Sequence, residues 1–534
     1  MNHLAHYLAN QSGYPEHSDT LARLFTALQQ AHENGDTLIE NEESLVDDIT
    51  RLSATDLLGD GSTATPLVWR DNRLWYHRNY HKEAQLAHSI RQRLTQTSVP
   101  VSIDDIADES LRAEQKEAIR LAASQHLTLI NGGPGTGKTY TLARLIAASM
   151  RAHPEYRIAL AAPTGKAAKR MEESLSRACA DLNESERNAI SHALNRAQTL
   201  HRLLGMNHNG EAQYQATQLL PYDLIIIDEA SMLSLELAQA LFAATSAQTR
   251  LILLGDADQL AAVDPGAILH DLSHHPSLQT HRITLRESRR FSADSGIGQL
   301  ARCLSSDEAC GARLLEILTY ATDNIHWYAN PEQDRYRQLF APYAPYLAAL
   351  QESHTTPQKI LAAFDEYRIL CAGHHGPLGT QRINAALRLL HQRAQNLNTA
   401  LEYYHGLPLM ILENDHQQQL YNGDTGICLD SPHGLLLHLP DRAPVPLSRL
   451  NPATLTDAYA LSIHKSQGSE YAHVALAVGD GNERLLSREL LYTGITRSKR
   501  TLDLYASAET VQYAADNAIR RHTGLSWHLE HSVI

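Results

Sequence analysis

The stretch Gly132-Gly133-Pro134-Gly135-Thr136-Gly137-Lys138-Thr139 constrains this chain more than any other. It satisfies G-x-x-x-x-G-K-[ST] and sits between a short apolar run, HLTLI (126–130), and a helical stretch, TYTLARLIAASMRA (139–152). In that order, strand, glycine loop and helix make a phosphate cradle. The glycines let backbone N–H groups curl around phosphate oxygens, and the helix N-terminus adds a favourable dipole. The pattern places Lys138 to reach the β- and γ-phosphates and the Thr139 hydroxyl to ligate Mg²⁺.

Around this loop, short apolar runs alternate with helical stretches. RIALAA (157–162), DLIIID (223–228) and RLILLG (250–255) form one set; EYRILCA (366–372), HVALAV (473–478) and TLDLYA (501–506) form a second after about residue 290. This alternation predicts parallel sheets covered by helices, hence two α/β lobes, over 106–285 and 286–534. Within the second, short strand-like pieces separated by turn residues predict a small β-barrel inserted at about 395–455. Residues 1–105 read as a small, mostly helical domain; LARLFTALQQAHENG, for example, carries apolar residues at helical spacing and ends at Asn34-Gly35.

Composition narrows the class. At 43% hydrophobic and 20% charged residues the chain is neither disordered nor collagen-like. Its formal charge of −14 argues at first against a protein that coats nucleic acid. The charge is uneven, however: residues 1–110 hold 8 Lys+Arg against 17 Asp+Glu, whereas residues 132–171 hold seven basic residues and one acidic. The acidic end is expected to be a docking face and the basic stretch to lie in the working part. Five cysteines without a C-x-x-C pair support neither a disulfide framework nor a zinc ribbon, and His374-His375 lacks a metal-helix pattern. With no signal-peptide pattern and no long apolar run, the expected setting is the cytoplasm, with no membrane partner.

The strand Leu224–Ile227 runs into Asp228-Glu229. A buried strand ending in two carboxylates puts Asp228 beside Mg²⁺ and Glu229 beside the attacking water as candidate general base. With the phosphate loop, this pair indicates a nucleoside triphosphate hydrolase. Gln259, in GDADQL (255–260) after another apolar strand, is where a neutral amide could sense the γ-phosphate.

Taken in order, GGPGTGKT (132–139), APTGKAAKRM (162–171), TLHRLLG (199–205), IIIDEASM (225–232), LLGDADQLAAVDPG (253–266), LRESRRF (285–291), IHKSQGSEY (463–471) and YTGITRSKR (492–500) resemble the motifs of superfamily 1 DNA helicases of the 5′–3′ branch. Within that superfamily, TLHRLLG, IDEASM, NGDTGI (422–427) and HKSQGSE are similar to the RecD subunit family, the alpha chains of exodeoxyribonuclease V (RecBCD complexes). The short stretch before the first motif also suits that family better than its stand-alone relatives. The resemblance implies RecA-like lobes, an SH3-like insertion, and a duplex-splitting hairpin at about 205–223. It implies ATP and Mg²⁺ as cofactors and an ATP-dependent 5′–3′ helicase acting on single-stranded DNA and duplex ends. RecB-like and RecC-like partners would complete a heterotrimer, with the nuclease in a partner. Residue by residue, Gln115 would read the adenine, and the loop from Gly132 to Thr139 with Tyr140 would hold the nucleotide. Arg290 would be the arginine finger of the family's fourth motif, and Arg497 would reach the γ-phosphate from the second lobe. Thr164, His201, His464, Lys465, Ser466 and Gln467 would touch the DNA strand.

Overall fold

The computed structural model describes residues 2–531 except 97–109, 181, 183, 185, 188–189, 192–196, 208, 289–294, 307–308, 321–323, 331–333, 416 and 480–482. Near the N-terminus, helices Asn2–Gln11, Ser18–Glu33, Val46–Leu52 and His77–Leu94 surround a small sheet. Its strands are β1 (Leu38–Glu40), β2 (Leu58–Gly59), β3 (Leu67–Arg70) and β4 (Arg73–Tyr76), in the order β1-β4-β3-β2. The sheet was not expected from the sequence, because strands of two to four residues are too short for alternation to show. One local signal does mark it. Asp71 and Asn72 both take positive φ (49° and 60°) in the two-residue turn that joins the antiparallel strands β3 and β4.

The last helix of this region is not confined to it. Leu86, Ala87 and Ile90 of His77–Leu94 share a core with Leu237, Leu241 and Phe242 of the first lobe. Arg93, 2% exposed, donates to the carbonyls of Thr245 and Ser246, both at 3.0 Å, with its guanidinium 4.9 Å from the Phe242 ring centroid. These bonds offset part of the cost of burying the guanidinium, whose Nε has no partner among the described residues.

The first lobe is a six-stranded parallel sheet, β5 (Leu127–Gly132), β6 (Ile158–Ala162), β7 (Gln198–Thr199), β8 (Leu224–Ile227), β9 (Arg250–Gly255) and β10 (Arg282–Leu285), in the order β10-β5-β9-β8-β6-β7. Every residue of β5, β6, β8 and β9 is buried, as strands covered by helices on both faces must be. The non-sequential order puts β5 beside β9 and β9 beside β8, so the loops leaving their C-terminal ends converge.

The second lobe is a five-stranded parallel sheet of β11 (Ile325–Tyr328), β12 (Tyr367–Cys371), β18 (Ala460–Ser462), β19 (Tyr471–Ala477) and β20 (Ser498–Tyr505), ordered β11-β20-β19-β12-β18. Between β12 and β18 the chain inserts an antiparallel sheet of β13 (Pro408–Ile411), β14 (Thr425–Ser431), β15 (Gly434–His438), β16 (Val445–Pro446) and β17 (Leu455–Asp457), ordered β16-β15-β14-β13-β17. The excursion at 205–223 contains one antiparallel bridge, Gln215 with Gln218, and is tied to its base by Tyr214 N–H donating to Leu204 O at 3.2 Å.

After the helix Ala508–Asp516 the chain leaves the second lobe and returns to the first. Arg521 donates to the carbonyls of Gly266 (2.7 Å) and Asp264 (3.2 Å) and also to that of Ala262. The helix Leu525–Glu530 then lies against His77–Leu94, with Trp527 beside Trp75 and Tyr80. Among the described residues no helix is long and apolar enough to cross a membrane.

Candidate nucleotide site between the lobes

The loop leaving β5 is shaped by two glycines in the left-handed region, Gly135 (φ 79°) and Gly137 (φ 87°), where a side chain would be strained. Gly137 caps the helix Lys138–Ala152, so the N-terminal amides of that helix face the cleft. Lys138 Nζ folds back onto the carbonyls of Gly132 and Gly133, and the Thr136 hydroxyl donates to Gly133 O at 2.8 Å. Gln115 is 3% exposed. Its Oε1 accepts from Arg112 N–H (3.1 Å) and its Nε2 donates to Thr136 O (3.3 Å), so it braces the loop from behind. Tyr140 carries the Arg144 guanidinium 3.4 Å from its ring centroid.

Facing the loop are the carboxylates at the ends of β8 and β9. Glu229 takes φ 52°, a left-handed conformation unusual for a side-chain-bearing residue, and its N–H donates to Asp228 Oδ1 at 2.9 Å. Burial, then the neighbouring Glu229 charge, push the Asp228 carboxyl up to about 6, and the Lys138 ammonium opposes them. Asp256 is likewise pushed up by burial and pulled down by Lys138. Buried acids of this kind, opposite amides and one lysine, fit a triphosphate carrying a divalent cation, which would supply the positive charge they lack. Thr139 and Asp228 both line the cleft and have the oxygen donors for such an ion.

The second lobe closes the cleft, which encloses about 630 Å³. Arg497, 2% exposed, donates from Nη2 to Gln259 Oε1 (2.6 Å), from Nη1 to Ser469 O and from Nε to Thr493 O (both 3.2 Å). Lys138, Asp228, Glu229, Gln259 and Arg497 all line this one space. Arg290 lies outside the described residues. Ser288, two positions earlier, donates to Pro134 O at 3.0 Å, so its strand end abuts the phosphate loop.

The residues expected on the DNA strand divide into two groups. Ala162 pairs with Thr199 across β6 and β7, so Thr164 and His201, two residues beyond each, both follow the C-terminal ends of adjacent strands. Thr164 also caps the helix Gly165–Ala178 by accepting from Ala167 N–H at 3.2 Å. His464 and Lys465 are partly exposed after β18, and Lys465 lines a groove with His374, Asn384, Arg388 and Tyr403. Ser466 and Gln467 lie deeper. Ser466 is fully buried and donates to Ile463 O (2.6 Å); Gln467 donates to Leu260 O (2.9 Å). Ser466 braces the turn and Gln467 ties it to the first lobe, a consequence of packing that a polar run cannot reveal.

Sequence reasoning also passed over cleft residues that share motifs with those it named. Arg170 on the helix Gly165–Ala178 reaches across to the carbonyl of Gly468 and the carboxylate of Glu470, and Lys499 stands 3.7 Å from Glu470. Tyr492 from the second lobe donates to Asp256 Oδ2 at 2.9 Å. Arg170, Lys499 and Tyr492 all lie inside the quoted motifs, and their basic or aromatic character beside a phosphate loop was the available signal.

Comparison with known proteins agrees with this division. Residues 115–265 match the family described as AAA domain, and residues 457–505 match the UvrD-like helicase C-terminal domain. The RecBCD enzyme subunit RecD of Mycolicibacterium smegmatis is 36% identical over 422 residues, which is 77% of this chain and 74% of that protein. The ATP-dependent RecD2 DNA helicase of Deinococcus radiodurans is 29% identical over 77% of this chain but 51% of its own length. A solved structure of two Pif1 helicases at forked duplex DNA overlaps loosely, at 16% identity over 75% of this chain and 94% of that one, with a TM-score of 0.42.

Proposed function

The chain belongs to the family of RecD subunits of the RecBCD enzyme, and from that premise we propose that it is the 5′–3′ motor of such a complex, an ATP-dependent DNA helicase. The observation that carries the reading is the bond from Arg497 to Gln259 (2.6 Å), which joins the second lobe to the first beside Lys138, Asp228 and Glu229. ATP and Mg²⁺ supply the phosphoanhydride and the charge neutralisation of a phosphoryl-transfer site. The backbone N–H groups of 135–139 and Lys138 bind phosphate, and Thr139 and Asp228 hold the ion. Glu229 takes the proton of the attacking water. Gln259, Arg497 and Arg290 stabilise charge on the transferring group, so hydrolysis requires a closed cleft. Gln115, which braces the loop, reads the adenine edge, and Tyr140 lines the cleft beside it. Thr164 and His201 on one lobe, and His464 and Lys465 on the other, grip a single strand through its phosphates, and alternate grip turns the cycle into stepping.

On this reading the inserted antiparallel sheet is an SH3-like barrel, and residues 1–105 dock RecB-like and RecC-like partners in the cytoplasm. The excursion at 205–223 splits the duplex at a broken end. The test compares unwinding of duplexes carrying a 5′ or a 3′ overhang by the assembled complex and by the same complex with Lys138→Gln. The 5′-dependent component should vanish with the substitution. Loss of only the 3′-dependent component would defeat the assigned direction.

A further inference from the structure

The loop Asp256 to Leu260, which leaves β9 beside the phosphate loop, is held by the second lobe at four points. Tyr492 Oη donates to Asp256 Oδ2 (2.9 Å), and Arg497 Nη2 donates to Gln259 Oε1 (2.6 Å). Leu260 N–H donates to Thr493 Oγ1 (3.0 Å), and Leu260 O accepts from Gln467 Nε2 (2.9 Å). Tyr492 and Thr493 sit on the helix Arg488–Thr496, and Arg497 caps it. One short helix therefore grips the loop through three side chains.

Tyr492 penetrates furthest. It is 4% exposed, and a methyl group built on Gly133 would come within 2.9 Å of its hydroxyl and 3.8 Å of Asp256 Oδ2. Gly133 thus leaves room for a side chain of the opposite lobe as well as for phosphate. Asp256 is a buried carboxylate in the field of Lys138, and its two hydrogen-bonding side chains are Gln259 (3.0 Å) and Tyr492. Freed from the tyrosine, that carboxylate would be drawn to the ammonium that the phosphates need.

We propose that Tyr492 is a positioning residue for hydrolysis: its hydroxyl pins Asp256 when the lobes close, leaving Lys138 free for the phosphates, and releases it when they open. This rests on the helicase reading above. The loop and helix amides bind the phosphates together with Lys138, so an ammonium drawn part-way to Asp256 chiefly loses its alignment on the transferring group, and the effect falls mainly on turnover.

The test measures DNA-stimulated ATPase of the assembled complex, with the Lys138→Gln complex subtracted as the background of its partners. Tyr492→Phe removes one hydroxyl at nearly constant volume. It should lower kcat about 10- to 100-fold, the loss expected for a hydrogen bond to a charged group. KM for ATP should stay within about twofold, a split from kcat that a structural role would not produce. Gly133→Ala alone should impair turnover by displacing the hydroxyl, and adding Tyr492→Phe to it should cost little more. An unchanged kcat in Tyr492→Phe, a KM rising in step with the fall in kcat, or strictly additive effects would each overturn the proposal. No DNA-stimulated ATPase above background in the unsubstituted complex would instead overturn the helicase reading.

Discussion

Glu83→Gln should change the stability of this protein in opposite directions at low and high pH. Glu83 lies where the N-terminal region, the first lobe and the returning C-terminal segment meet, and it is 1% exposed. Its carboxyl accepts three hydrogen bonds: from Thr37 Oγ1 (2.6 Å) and Gly524 N–H (2.9 Å) on one oxygen, and from Trp75 Nε1 (2.9 Å) on the other. Those donors favour the carboxylate, but burial outweighs them and pushes the group from 4.5 up to about 7. Below pH 4.5 the acid is neutral in both folded and unfolded chains, and its contribution to stability is complete. As pH rises towards 7 the unfolded chain releases the proton while the folded chain keeps it, and stability falls by about 3 kcal/mol over that interval. An amide offers one oxygen to three donors and turns its NH₂ towards the third, which costs about 1–3 kcal/mol at any pH. At pH 5 Glu83→Gln should therefore destabilise; at pH 8.5 it should be neutral or stabilising, because the ionisation penalty is gone. Melting temperature at matched ionic strength, with amide exchange over residues 522–531 as the local readout, follows both limbs. A difference between variant and parent that stays constant from pH 5 to 8.5 would refute the argument.

Two further outcomes follow from the same geometry. Lys138→Gln should abolish ATP turnover and unwinding while leaving the fold intact by circular dichroism, since the side chain hydrogen-bonds only to loop carbonyls among the described residues; undiminished ATPase would sink the phosphate-loop assignment. Arg521→Ala removes a guanidinium that bonds three carbonyls of the 262–266 loop, and should loosen the C-terminal segment by about 1.5–3 kcal/mol. Limited proteolysis should then release residues beyond 520 faster than in the parent, and equal rates would show that the tail is held elsewhere.

The two parallel sheets and the nucleotide loop were legible from the residues because their signals are local. A buried parallel strand needs an unbroken apolar run, as in RLILLG, and a phosphate loop needs glycines where the backbone turns left-handed, as at Gly135 and Gly137. Asp228 and Glu229 could be read for the same reason, since their place follows from the strand they terminate. The antiparallel insertion was visible through its turn residues, whereas the small N-terminal sheet, built of strands too short to carry a period, was not.

What tertiary structure alone decided was which side chains meet across the chain. Ser466 and Gln467 read as exposed polar residues of one run, yet both are buried, Ser466 against its own turn and Gln467 bonded across to Leu260 of the first lobe. Tyr492 stands in the sequence only as the first letter of the motif YTGITRSKR, yet the fold brings its hydroxyl to Asp256, 236 positions away. Residues 521–531 follow the second lobe in sequence but pack on the first lobe and the N-terminal region, through Arg521 and the donors around Glu83. Local conformation is set by backbone sterics and hydrophobic period, both written within a few residues. Partner choice over hundreds of residues depends on burying apolar surface while satisfying every buried donor, and that condition exists only in the assembled chain.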